Sequence, residues 1–170
     1  MGIREAITDI RIMNALFTTA EAEAAALGDE VPGAEHLLLA VLELPDDSAR
    51  RAFASFGVTA TDVRTAVSQT HALALRSVGL DAPEVESAQP SPSHTGSFHG
   101  SGSLQEVFQR AVTLSKAGGG RKHTLRSAHI VWAAAELEHG TASRALRHLG
   151  VDRSDLQEAA RQAIAGDGTH

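Results

Sequence analysis

The sequence predicts an all-α domain of eight helices, made of two tandem copies of one four-helix unit. One observation is an internal repeat: residues 36–67 align without a gap on residues 129–160, and eleven of the 32 positions are identical. The other is composition. The chain is 42% hydrophobic but only 4% aromatic, so its core is mostly Ala, Leu and Val. Such a core favours closely packed helices over a sheet, and the repeat predicts pseudo-two-fold symmetry.

The first two helices of copy one follow from apolar periodicity. In the first, predicted over about 9–27, apolar residues recur every three or four positions and mark one helical face: Met13, Phe17, Ala20, Ala24 and Leu27. Gly28 follows directly and suits the position just after a helix end. The second helix, about 34–44, is apolar on nearly every side, which is typical of a helix at the centre of a bundle.

The last two helices of copy one follow from capping residues. Pro45 ends the second helix, and one of the two following aspartates, at 46 or 47, is expected to cap the third helix, about 48–56. Gly57 closes that helix. Thr59 then caps the fourth, with Asp62 at its third position, the pattern of a capping box.

Copy two repeats this pattern with different residues. Ser103, followed three positions later by a glutamate, predicts a capping box at its first helix, and Ser127 is expected to cap its central helix. Gly150 closes the third helix and Asp152 opens the fourth. In the central helix of copy two, Trp132 replaces a leucine of copy one, while two alanines replace larger residues. The bulky side chains therefore lie at different positions along this helix than in copy one.

A segment of different character separates the copies. Residues 77–102 are rich in Ser, Gly and Pro and have few large apolar side chains, so they read as a linker. The predicted organisation is a single domain over residues 1–170, with repeat one at about 9–76 and repeat two at about 103–165.

Composition and charge exclude several classes of protein. The chain has no Cys, which excludes disulfides and thiolate chemistry. The charged N-terminus lacks the apolar core of a signal peptide, and no apolar run reaches membrane-spanning length, so we expect a cytoplasmic protein without membrane contact. Residues 1–103 carry 6 Lys and Arg against 14 Asp and Glu. This acidic half argues against nucleic-acid binding, and the basic residues at 121–126 are interpreted as a solvated loop.

The stretch Glu35-His36-Leu-Leu-Leu-Ala40, followed by Ala49 and then Phe56-Gly57-Val58, resembles the Clp repeat. This repeat forms the N-terminal domain of Clp/Hsp100 ATPases such as ClpA and ClpC. The resemblance covers about residues 9–165 apart from the linker. It implies a compact, pseudo-two-fold domain of eight helices.

No residue pattern in the chain supports catalysis. The ATPases of this family continue into modules with GxxxxGK[ST], and residues 118–124 have the wrong glycine spacing for it. HExxH and GxSxG are also missing from the sequence, so we expect no enzymatic activity, no cofactor and no metal site. The chain is either a stand-alone Clp N-domain protein or a fragment of a longer ATPase, and the diverged second copy favours the former.

Glu35 is the first candidate for ligand binding. In ClpC-like members the glutamate of the Glu-His pair is linked with recognition of phosphoarginine, so the resemblance implies this role for Glu35. The alternative is that Glu35 only interacts favourably with the helix dipole. Copy two has Ala128 at this position. The hypothesis therefore predicts one site, in copy one, which Glu35→Ala would abolish and Ala128→Glu would duplicate.

Phe98 is the second candidate. The family often has a Phe-Thr-Pro segment before the second copy, and Phe98 resembles its phenylalanine, here followed by His99-Gly100. It is either an anchor for a peptide or hydrophobic ligand, or a residue that packs on the domain. The paired histidines His36 and His129 are interpreted as structural residues hydrogen-bonded between helices, in preference to metal ligands.

The resulting hypothesis is a non-enzymatic protein- or peptide-binding module that acts as adaptor, competitor or decoy in Clp-dependent proteolysis. Its expected partners are Clp ATPase or protease components or their substrates, including arginine-phosphorylated ones. The alternative is a protein that sequesters or senses small peptide-like ligands, such as cyclic-peptide antibiotics that target Clp proteins.

Overall fold

The structure is a computed structural model that describes residues 3–79, 100–117 and 124–166, with the backbone alone for residues 3–10. These parts of the chain contain eight α-helices and no strand, which confirms the predicted all-α class. The helices are α1 Ile3–Leu27, α2 Ala34–Leu42, α3 Ser48–Ala54, α4 Ala60–Ser77, α5 Gly102–Ala117, α6 Ser127–Glu136, α7 Thr141–His148 and α8 Arg153–Gly166. None of these helices combines the length and apolarity that a membrane span requires.

The helices repeat with the offset of the sequence. Helices α2, α3 and α4 begin at residues 34, 48 and 60, and α6, α7 and α8 begin 93 positions later, at residues 127, 141 and 153. The helices α2 to α4 and α6 to α8 therefore begin in the same order and at the same spacing. This agreement supports the pseudo-symmetry that the repeat predicts.

The central helix of each copy is buried and the two central helices pack against each other. In α2, five consecutive residues are each at most 1% exposed: Leu37, Leu38, Leu39, Ala40 and Val41. In α6, Ile130 and Val131 are equally buried, whereas Trp132 is only half-buried. The apolar sequence of α2 is thus explained by neighbours on all sides.

The copies interlock rather than lie side by side. The third helix of each copy packs on the fourth helix of the other, so that α3 contacts α8 and α4 contacts α7. Helices α1 and α5 cover α2 and α6, and the rings of Phe17 on α1 and Phe108 on α5 lie 4.9 Å apart. Each copy therefore completes the core of the other.

The helix termini confirm some predicted caps and correct others. The capping box of α4 is confirmed, because Thr59 Oγ1 accepts the Asp62 amide at 3.2 Å and Asp62 Oδ2 accepts the Thr59 amide at 2.8 Å. At α5 the predicted Ser103 is wrong: Ser101 Oγ accepts the Leu104 amide at 3.3 Å, so the helix begins earlier. Ser127 is also wrong as the cap of α6, because it is the first residue of that helix.

The helix bounds differ modestly from the predicted ones. Helix α1 begins at Ile3 instead of residue 9, and α2 ends at Leu42, two residues before the predicted end. At the end of α2 and just beyond it, the carbonyls of Leu42 and Leu44 both accept hydrogen bonds from the Arg50 guanidinium. This contact satisfies terminal carbonyls that apolar periodicity alone does not reveal.

Two glycines at equivalent positions of the copies have a backbone conformation that other residues adopt only with strain. Gly57 and Gly150 end α3 and α7 with φ of 68° and 70°, and a Cβ on either would meet nothing within 4 Å. We expect Gly57→Ala and Gly150→Ala each to lower the free energy of unfolding by about 1–2 kcal/mol, through backbone strain alone. Chemical denaturation measures this loss. The control is Gly102→Ala, at a helix start with equally open surroundings, and equal stability of all three variants would contradict the explanation.

Candidate functional site

The start of α2 positions Glu35, the second residue of that helix. Its side chain is 15% exposed, and its carboxylate folds back over Gly33, where a Cβ would lie only 2.8 Å from Oε1. The missing side chain at residue 33 thus makes room for the carboxylate. Its negative charge lies at the positive end of the helix dipole, which is favourable.

A second carboxylate and two histidines surround Glu35. The Oε1 atom of Glu35 lies 3.7 Å from His36 Nδ1, and His36 Nε2 lies 3.3 Å from Asp29 Oδ2. The other oxygen of Asp29 lies 3.0 Å from His71 Nε2. Asp29 is one-third exposed, so the start of α2 presents two partly accessible carboxylates. We call these four residues the α2-start cluster.

His36 caps its own helix. Its Nδ1 accepts the Gly33 amide at 2.8 Å, and in copy two His129 Nδ1 accepts the Arg126 amide at 3.0 Å. Both histidines are therefore structural, but they bond within the start of one helix and not between helices as predicted. Burial lowers the pKa of both rings, so each is neutral at neutral pH.

The α2-start cluster has the composition of a metal site but the wrong proton arrangement. Ligand atoms of Asp29, Glu35 and His36 all lie within 4.8 Å of one another. A histidine that binds a metal through one ring nitrogen donates a proton from the other. In His36, Nδ1 accepts a backbone N–H, so a metal on Nε2 would leave two donors facing each other. The cluster fits an organic cation better than a metal ion.

The corresponding helix start in copy two is closed. Ala128, at the position of Glu35, is fully buried, and the carboxylate of Asp46 from copy one lies at this helix start. Asp46 Oδ2 accepts the Ser127 amide at 2.5 Å, while Oδ1 accepts the Ser48 amide at 2.9 Å. One carboxylate thus neutralises the converging N-termini of α3 and α6. A glutamate at 128 would be buried beside it, so this change alone is not expected to create a second site.

Two serines also join the copies at this helix start, because the hydroxyl of each accepts a backbone amide from the other copy. Ser127 Oγ accepts the Ala49 amide and Ser48 Oγ accepts the Ala128 amide, both at 3.0 Å, and the two hydroxyl oxygens are also 3.0 Å apart. Burial raises the pKa of Asp46, but the hydrogen bonds from Ser127 and Ser48 outweigh it and lower that pKa overall. We call Asp46, Ser48 and Ser127 the inter-copy junction.

The inter-copy junction has no equivalent at the start of α2. At the offset of 93, Ala34 corresponds to Ser127 and His139 corresponds to Asp46. The Ala34 amide donates instead to the hydroxyl of Ser103, at 3.3 Å. The two helix starts therefore differ in charge: copy two is closed by a buried carboxylate, and copy one presents Glu35 at the surface.

The equivalent residues Glu43 and Glu136 form ion pairs within their own copies. Glu43 lies 3.4 Å from the Arg64 guanidinium, which also pairs with Glu23, and Glu136 accepts two hydrogen bonds from Arg110, at 2.6 and 2.9 Å. The pairs that Glu43 and Glu136 make are partly exposed and contribute little to stability. Glu43 lies at the opposite end of α2 from Glu35, so it is a suitable control for the α2-start cluster.

Two cavities lined by described residues are small. A groove between the copies has a volume of about 20 Å³, room for roughly one water molecule. Its lining includes Met13 and Leu16 of α1, Leu44 and Asp46 beyond α2, and Leu125 and Ile130 of copy two. A second cavity, between α5 and α6, measures about 140 Å³. Pockets for small molecules usually exceed about 300 Å³, so both favour surface recognition. Phe98, the other predicted ligand residue, lies outside the described residues.

Two interlocked helical repeats define an all-α domain, and comparison with known proteins identifies its family. The family model of the Clp repeat (R) N-terminal domain matches residues 12–119. The chain belongs to this family, whose domains bind substrates and adaptors of Clp ATPases.

A solved structure supports the same fold. The crystal structure of the N-terminal domain of the caseinolytic protease associated chaperone ClpD from Arabidopsis thaliana matches with a TM-score of 0.58 and 24% sequence identity. The match covers 91% of this chain and 94% of that chain. A search of curated proteins found no match.

Proposed function

We propose that this protein is a non-enzymatic binding module that recognises protein or peptide segments at the start of α2. The observation that supports this most directly is the contrast between the two helix starts. Glu35 is partly exposed beside Asp29, whereas Ala128 is fully buried behind Asp46. Binding through a helix start would therefore occur once per chain, in copy one.

The chemistry of the α2-start cluster favours a cationic group. Two partly exposed carboxylates can accept the planar N–H donors of a guanidinium in paired hydrogen bonds. The helix dipole favours an anion at the same place. An arginine side chain that carries a phosphoryl group combines both charges, so arginine-phosphorylated segments are the proposed ligands.

The family suggests the setting in which such binding acts. Its domains serve Clp ATPases as protein-interaction modules. We place this protein in Clp-dependent proteolysis as an adaptor, competitor or decoy, with Clp components or their marked substrates as partners. Each of these roles requires the binding step at Glu35 and no catalytic step.

Affinity capture from cell lysate tests this proposal. Immobilised wild-type protein is expected to retain Clp components or arginine-phosphorylated proteins, identified by mass spectrometry, and Glu35→Gln is expected to lose them because it removes the carboxylate charge. Glu43→Gln is the matched control, since it removes the same charge from the same copy at an exposed pair with Arg64. Equal capture by the wild-type and Glu35→Gln proteins would contradict the proposed site, and no such partner on the wild type would contradict the function.

The alternative function, binding of small cyclic peptides, rests on the apolar groove between the copies. Met13 at this groove is 36% exposed, and the lining is mainly Ile, Leu and Met. Its small volume means that a ligand must lie across the groove or displace α1. A thermal-shift titration with such peptides tests this function, and an unchanged melting temperature would count against it.

A further inference from the structure

The proton on the His36 ring occupies a defined position. Because the Gly33 amide donates to Nδ1, the neutral ring carries its proton on Nε2. That Nε2 is buried and makes no hydrogen bond within the described residues, although Asp29 Oδ2 is 3.3 Å away. The ring thus has one satisfied acceptor and one donor that faces a carboxylate without a good bond.

Protonation of His36 must change this arrangement. The added proton goes to Nδ1, where it faces the Gly33 N–H, so two donors would meet across a distance of 2.8 Å. The carboxylate oxygen Oε1 of Glu35 is 3.7 Å from the same nitrogen. A small rotation of the Glu35 side chain brings it into a charge-assisted hydrogen bond with the new N–H.

We propose that His36 is a proton-operated switch for Glu35. The neutral ring leaves the Glu35 carboxylate available to a ligand, and the protonated ring binds that carboxylate itself. This inference rests on the proposed function in one respect: the ligand is the group that competes with His36 for Glu35. As pH falls, the imidazolium occupies Glu35, the α2 cap opens, and a guanidinium is released.

The charged groups around His36 determine where the switch operates. Burial lowers its pKa most strongly, and His71 from α4 lowers it further, while Glu35, Asp29 and Glu23 raise it. The balance lies below the ordinary value of 6.5, so the ring is neutral at pH 7 and gains its second proton only in more acidic solution. Neutral conditions therefore correspond to the ligand-accepting form.

Copy two provides a control within the same molecule. His129 makes the same cap, with Nδ1 accepting the Arg126 amide at 3.0 Å, but its preceding residue is Ala128 instead of a glutamate. Asp46, the carboxylate that raises its pKa, is already held by the Ser127 and Ser48 amides. His129 therefore has the cap without the switch.

Nuclear magnetic resonance of the ring nitrogens tests the switch without any ligand. As the pH is lowered from 8, His36 is expected to change from the Nε2–H tautomer to the doubly protonated ring below its ordinary pKa of 6.5. In Glu35→Gln its pKa is expected to fall by about 0.5–1 unit, because a nearby negative charge is lost, with His129 unchanged. An Nδ1–H tautomer at neutral pH, or a pKa of His36 that ignores Glu35→Gln, would overturn the proposal.

A binding titration separates the switch from the proposed function. Freshly dissolved phosphoarginine is titrated into the full chain from pH 8 down through the midpoint that the His36 ring shows, and affinity is expected to fall across that midpoint. His36→Asn keeps an acceptor for the Gly33 amide but cannot titrate, so its affinity is expected to be nearly independent of pH. Affinity that falls equally in wild type and His36→Asn overturns the switch. No binding at any pH contradicts the proposed function, while the ring-nitrogen measurement still decides the switch.

Discussion

Separating the two copies is expected to abolish the folding of both. A fragment of residues 1–79 leaves α3 without α8 and α4 without α7, and it exposes the face of α2 that packs on α6. Each fragment then has unburied Leu, Val and Ala surfaces that a small domain cannot spare. We expect neither residues 1–79 nor residues 100–170 to show a cooperative thermal transition by circular dichroism.

Mixing the fragments provides the control for this experiment. Because the missing partners lie on the complementary fragment, an equimolar mixture is expected to recover helicity and a single transition. Recovery would support the prediction that both repeats belong to one domain. A cooperative transition of residues 1–79 alone, at the melting temperature of the full chain, would contradict the shared core.

Replacing Asp46 by Ala is expected to lower the free energy of unfolding by about 2–4 kcal/mol. One carboxylate caps α3 and α6 together, a helix cap is worth about 1 kcal/mol, and hydrogen bonds to a charged group are worth about 1.5–3 kcal/mol. The neighbouring Asp47→Ala is the control, because Asp47 is half-exposed and pairs only with Arg51 across one helical turn. Urea denaturation measures the free energy of unfolding of both variants. Equal losses in Asp46→Ala and Asp47→Ala would contradict the role of Asp46.

The same aspartate gives the protein a dependence on acid. Since hydrogen bonds hold the pKa of Asp46 below its ordinary value of 3.8, its contribution to stability is full above that value. The contribution is lost as the pH falls through the lower folded-state pKa. Unfolding measured between pH 7 and pH 3 is therefore expected to show a smaller loss of stability in Asp46→Ala than in the wild type.

Local signals in the sequence predicted local structure well. The α4 capping box was predictable because Thr59 and Asp62 are three residues apart and bond to each other's amides. Ser127 was predicted wrongly because its hydroxyl acts on α3, whose Ala49 is 78 positions away. Periodicity and capping rules contain no information about contacts at such a separation.

At the candidate site too, the feature with a local signal was predicted and the feature that depends on tertiary packing was missed. Glu35 was found from its place in a recognisable motif, and its position at the start of α2 follows from that motif. The closure of the second helix start was missed, because Asp46 reaches it through tertiary packing. One signal was present: Asp46 is an acidic residue beside a cap, yet copy two has His139 at the equivalent position. A difference between repeats next to a helix start indicates that the two starts have different partners.

Isothermal titration with phosphoarginine at neutral pH tests the central claim most directly. The predicted result is one site per chain, with affinity reduced about 10- to 100-fold in Glu35→Gln, as expected for a lost charged hydrogen bond, and unchanged in Glu43→Gln. Two sites per chain, or full affinity in Glu35→Gln, would contradict a single binding site at the start of α2.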